Sequence, residues 1–165
     1  MDLTTTPTVL DATKLDDYTR LRDACRALLG ATCGIPVFDG GDLDAMESST
    51  SFVTLRNAYG DPGVEVDGTW LSLMQGVGGV VYLEVIARRV PGGASITLTV
   101  DLYNVTTGAA VASSEVAISL TSDAAVKQKS SNLTLASGVN NYRARIKTSG
   151  PSAGAARVRL VVKGN

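Results

Sequence analysis

Basic side chains recur at alternate positions toward the C-terminus of this 165-residue chain. Arg143, Arg145 and Lys147 alternate with Tyr142, Ala144 and Ile146. Arg157 and Arg159 alternate with Val158 and Leu160, and Lys127 and Lys129 follow the same rule. Successive side chains of a strand point to opposite faces, so each run holds its bases on one side. If the three runs share a sheet, their bases build one outer face that can dock an acidic neighbour. An ordinary solvated face has the same pattern. Nucleic acid is disfavoured as the partner. Single-strand binding interleaves aromatics with bases, yet only 5% of residues here are aromatic, and Tyr142 alternates away from the bases.

Other chemistry is thinly supplied. The chain has no histidine, which removes His-based triads, His metal sites and the usual near-neutral acid–base group. Cys25 and Cys33 are the only thiols and lack the CxxC spacing. They read as reduced, small hydrophobes, with a short disulfide loop left to geometry. Asp39, Asp42, Asp44 and Glu47 offer the oxygen ligands that suit calcium, but not at EF-hand spacing, so they read as an acidic, solvated loop. No acid pair is organised for glycoside hydrolysis. Asn104-Val105-Thr106 and Asn132-Leu133-Thr134 match the N-glycosylation pattern. No secretory signal is visible in the first residues, so chance explains both matches. Trp70 could stack on a sugar, but Leu71, Leu73 and Met74 beside it favour the core. Neither catalysis nor a cofactor nor a metal is expected.

The elements that would carry these residues fall into two regions. Residues 1–10 read as an extended arm, because Pro7 disfavours helix at Thr6. Leu15, Tyr18, Leu21, Cys25, Leu28 and Leu29 recur at three- and four-residue steps and form one stripe of an amphipathic helix over 13–29. Asp11 or Thr13 can cap that helix, and Gly30 is placed to stop it. A helix of this length is marginal alone in water, so the stripe is a candidate interface, within the subunit or between subunits. Residues 31–50 have no clear period and read as a surface connection.

From about Ser51 the period becomes alternating. Candidate strands cover 52–55, 70–74, 80–90, 96–103, 116–120, 126–135, 142–148 and 157–162, separated by Gly-, Pro- and Asn-rich turns. Roughly seven to nine short strands without intervening helices predict an all-β, antiparallel sandwich. The expected division is an anchor or oligomerisation segment at 1–50 and a sandwich at 51–165.

Charge follows a similar division. The formal net charge of -1 hides twelve acids against five bases in residues 1–67, and four acids against ten bases in 68–165. No apolar run approaches the roughly 18 residues of a membrane helix, so no membrane partner is expected.

The segments Asp101-Leu102-Tyr103-Asn104-Val105-Thr106-Thr107-Gly108, Ser130-Ser131-Asn132-Leu133-Thr134-Leu135, Asn141-Tyr142-Arg143-Ala144-Arg145-Ile146-Lys147 and Ala156-Arg157-Val158-Arg159-Leu160-Val161-Val162 occur in this order. The order resembles jelly-roll β-sandwich domains of tailed-bacteriophage structural proteins, over roughly residues 68–165. The resemblance implies a non-enzymatic virion protein, assembled in the host cytoplasm, with other virion proteins as partners. It favours an accessory head (decoration) protein, with a fibre or baseplate tip as the variant. A homo-oligomer, preferably a trimer, and a surface glycan are the further partners. A carbohydrate-binding module is the alternative. An exposed aromatic platform would support it, and burial of Trp70 and Tyr82 would count against it.

Overall fold

The computed structural model describes residues 35–56, 66–76, 78–150 and 152–164. The predicted arm, the helix stripe from Leu15 to Leu29 and both cysteines lie outside these residues. Ten strands are described: β1 (Ile35–Gly41), β2 (Val53–Thr54), β3 (Val66–Asp67), β4 (Gly79–Arg89), β5 (Ile96–Asn104), β6 (Ala109–Ala110), β7 (Val116–Leu120), β8 (Val126–Lys129), β9 (Asn141–Thr148) and β10 (Gly154–Gly164). A short helix, α1 (Thr69–Gly76), precedes β4.

The strands form two antiparallel sheets. One has four strands in the order β1-β10-β4-β8; the other has six, with β2 and β3 on one side of β9 and β6 and β7 on the far side of β5. Chain neighbours such as β4 and β5 therefore lie in different sheets. This wrapped order is that of a jelly roll. Alternation builds the interior. Leu98, Val100 and Leu102 of β5 face Leu83 and Val85 of β4 and Val158 and Leu160 of β10 in one apolar cluster, all essentially without solvent contact. Burying each such side chain contributes about 1.5–3 kcal/mol.

Three expectations are corrected. The connection read at 31–50 contains β1, which pairs with β10 from Ile35↔Val162 to Gly41↔Arg157. The sandwich therefore begins well before residue 51. β1 is an edge strand of its sheet, where Pro36 removes no interior ladder hydrogen bond. The ladder absorbs an irregularity between Pro36 and Phe38.

The strand expected at 70–74 is α1. Ser72 N–H donates to the Gly68 carbonyl at 3.0 Å, and a short apolar run of this kind fits either period. The Gln75 amide then serves as a substitute strand. Its Nε2 donates to Leu133 O at 2.5 Å, and its Oε1 accepts from Leu135 N at 3.0 Å.

The strand expected at 126–135 ends at Lys129. There the Ser130 N–H still donates to Leu83 O at 2.9 Å, but the Ser130 hydroxyl takes the Leu83 N–H at 2.9 Å, and beyond it the chain meets β4 at the isolated bridge Val81↔Leu133.

Tyr142 is fully buried, and its hydroxyl accepts the Ala136 N–H at 3.1 Å. Burial raises its pKa above the ordinary 10.0, and the hydrogen bond partly opposes that. Above pH 10 the unfolded chain loses this proton before the folded one does. Tyr142 thus contributes stability that is present below its unfolded pKa and lost as pH rises through the folded value. Tyr142→Phe is expected to cost about 1 kcal/mol at neutral pH and to flatten the alkaline loss. Urea unfolding at about pH 8 and about pH 10.5 checks this; an unchanged alkaline slope contradicts the assignment.

Candidate functional site

The bases do not share one face, because β9 belongs to the six-stranded sheet while β8 and β10 belong to the four-stranded one. Arg143, Arg145 and Lys147 lie on one outer surface of the sandwich. Lys127, Lys129, Arg157 and Arg159 lie on the opposite surface. The single basic face expected from alternation is thus two faces, and their chemistry differs.

On the four-stranded sheet the charges alternate across the strands. The register sets Asp39 opposite Arg159, Arg159 opposite Glu84, and Glu84 opposite Lys129. Lys127 Nζ lies 2.7 Å from Glu84 Oε2, and Arg159 Nη1 lies 3.9 Å from Glu84 Oε1. In the loop after β1, Asp44 pairs with Arg88, whose Nε also donates to Leu43 O at 2.7 Å. Opposite charges directly across strands stabilise a sheet. Part of the acidic N-terminal region therefore meets the basic region within one subunit.

The expected acidic loop is more ordered than a solvated run. Asp42 Oδ1 accepts the Asp44 N–H at 3.0 Å, and Glu47 Oε1 accepts the Ser48 and Ser49 N–H groups at 2.9 Å each. These carboxylates cap turns. No group of three metal-ligating side chains occurs among the described residues.

The outer face of the six-stranded sheet combines cations with rings. On β5 the outward positions include Thr99, Asp101 and Tyr103, and the register sets them opposite Lys147, Arg145 and Arg143. β2 sets Thr54 opposite Arg145, with Phe52 just before it. Arg145 grips Asp101 with two bonds, Nε to Oδ1 at 3.0 Å and Nη2 to Oδ2 at 2.5 Å. Its guanidinium carbon lies 4.0 Å from the Tyr103 ring centre and 4.8 Å from that of Phe52, and Lys147 Nζ lies 4.2 Å from the Phe52 ring centre. Each cation–ring contact contributes about 0.5–2 kcal/mol, more as water is excluded.

Asp101 is 4% exposed and Arg145 is 21% exposed. The Asp101 hydrogen bond is the main cause that raises the Arg145 pKa, with burial opposing it and the Asp101 charge adding to it. Arg145 therefore stays cationic across the working pH range. The resulting surface has two half-buried rings around a charge locked in orientation.

Phe52, Asp101 and Tyr103 were not singled out by sequence. Alternation along β5 does put Asp101 and Tyr103 opposite the apolar Val100 and Leu102, which is a usable signal. Nothing local signals that β9 and β2 bring Arg145 and Phe52 beside them.

Tyr82 is half-buried on the four-stranded sheet, with Lys129 Nζ 5.6 Å from its ring centre. The Trp70 side chain lies outside the described set. Asn104 is buried and bonded to Asn140 Oδ1 and to the Thr107 N–H, so its glycosylation match is structural; Asn132 is exposed. No described helix is long and apolar enough to cross a membrane.

No protein-family model and no curated protein sequence matches the chain. Among solved structures, the chain is similar to the CBM22-1 xylan-binding domain of Xyn10C from Paenibacillus barcinonensis. The identity is 14% over 81% of this chain and 96% of that domain, at a TM-score of 0.37.

Proposed function

We propose that the chain is a non-enzymatic binding module that engages a carbohydrate through the outer face of its six-stranded sheet. One observation carries this reading: Arg145 lies between the rings of Phe52 and Tyr103, with Lys147 over Phe52. A sugar ring needs a flat apolar surface and hydrogen-bond donors at its rim. Phe52 and Tyr103 supply apolar surface, and Arg145, Lys147 and the half-buried Thr54 supply donors.

The second reading is a structural protein of a tailed-phage virion, an accessory head protein that forms a homo-oligomer. It is supported by the places of the resembling segments. They occupy the end of β5 with its turn, the stretch after β8, and strands β9 and β10 of one sandwich. In that reading the same face meets an acidic virion neighbour.

One experiment separates the two. Calorimetric titration with a panel of neutral and acidic oligosaccharides is expected to show binding. The double variant Phe52→Ala, Tyr103→Ala is expected to weaken it at least about tenfold while leaving the circular dichroism spectrum unchanged. A protein that binds no oligosaccharide, scatters light as a trimer and is retained on capsids supports the virion reading instead.

A further inference from the structure

The two outer faces have similar numbers of bases but different surroundings. On the four-stranded sheet Glu84 lies between Lys127 and Arg159, and Asp44 pairs with Arg88. On the six-stranded sheet Arg145 covers Asp101 until 4% of it is exposed, and the exposed Glu115 lies just before β7, across β5 from the β9 strand that carries Lys147. The register sets Lys147 opposite Thr99 on one side, and the β2 register continues to Phe52 on the other. Neither neighbour carries a counter-charge. Asp67, at the other end of β9, is held by the register beside Asn141, six positions from Lys147 along the strand.

Arg145 is also oriented. Its grip on Asp101 uses the Nε–Nη2 edge, so Nη1 points away from that carboxylate. The rings of Tyr103 and Phe52 fix the guanidinium plane. A guanidinium held in one plane is the donor that planar oxyanions match best. Lys147 stands two residues along the same face and adds a point charge beside Phe52.

We infer that this Arg145–Lys147 end of the face takes the carboxylate of a uronic acid, so that the ligand is an acidic polysaccharide. This inference rests on the carbohydrate reading above and narrows it. Asp101 is a positioning residue here, because it touches Arg145 and not the ligand.

The test uses the full chain. Oligogalacturonides are titrated against their carboxyl-reduced counterparts, with wild type, Lys147→Gln and Lys127→Gln. Lys127 lies on the opposite outer surface and serves as the control. The wild type is expected to bind the acidic form at least about tenfold more tightly than the reduced form. Lys147→Gln is expected to remove most of that difference, and Lys127→Gln to keep it. Acidic-ligand affinity is also expected to fall between low and high salt.

Equal binding of the acidic and reduced sugars overturns the inference and leaves the carbohydrate reading intact. Binding of neither sugar overturns both. If polyglutamate binds as tightly as the oligogalacturonide, the face reads charge alone, and the acidic-sugar assignment fails.

Discussion

Replacing Gly41 by alanine is expected to lower the unfolding free energy by about 3 kcal/mol, one of the two largest single effects anticipated here. Gly41 ends β1 with a φ of 81°, in the left-handed region. A Cβ there would lie 2.4 Å from Ala156 O and 2.6 Å from Leu55 Cδ2. The first of these is backbone of the partner strand β10, which cannot move without disturbing its ladder to β4. The second belongs to a buried core side chain. Backbone strain of about 1–2 kcal/mol therefore adds to the cost of overpacking. For a chain of this size the melting temperature should fall by roughly 6–12 °C.

Gly138 supplies the control. Its φ is 84°, yet a Cβ there meets nothing within 4 Å. Gly138→Ala should cost only the conformational part, about 1 kcal/mol. Thermal unfolding of the two variants side by side decides the matter. Equal shifts would show that β1 is not held against β10 as described.

Asp101→Ala is the second large effect, at about 2–3 kcal/mol. The carboxylate is nearly buried and takes two charge-assisted hydrogen bonds from Arg145. Its removal leaves a guanidinium between two rings without its counter-charge. The cost stays below that of a fully buried pair because Arg145 is 21% exposed and water can reach it.

A double-mutant cycle with Arg145→Met isolates the pair. The double variant should be less destabilised than the sum of the singles, by about 1.5 kcal/mol or more. Simple additivity in urea unfolding would rule out the pairing as an energetic unit. Ligand affinity should drop in Asp101→Ala as well, since the guanidinium loses the contact that sets its plane.

These two sites show where a reading of the chain alone stops. Ile96, Leu98, Val100 and Leu102 announce β5 and its buried face by alternation, and the burial follows it. The bases of β9 likewise sit outward in their own strand. Gly41 is different. Gly40 and Gly41 with Pro36 look like punctuation, because an edge strand tolerates residues that an interior strand would not. Residues 70–74 are different again. An apolar run of that length fits a strand or a helix, and only the Gly68 carbonyl and the Gln75 contacts to the 133–135 backbone select the helix.

The sequence alone determined the class of the fold, the inward faces of β5, β9 and β10 and the separation of acidic from basic charge. Each of these is local, since a side chain's face follows from its parity along a strand and a charge from its residue type. Only the tertiary structure decided which strands are neighbours. Long-range pairing put β9 in one sheet and β8 and β10 in the other, so one imagined basic face became two. The same pairing brought Asp44, from after β1, onto Arg88 and set Arg145 beside Phe52, Asp101 and Tyr103. Those contacts join residues about 40 to 90 positions apart, and no local pattern encodes a partner at that separation.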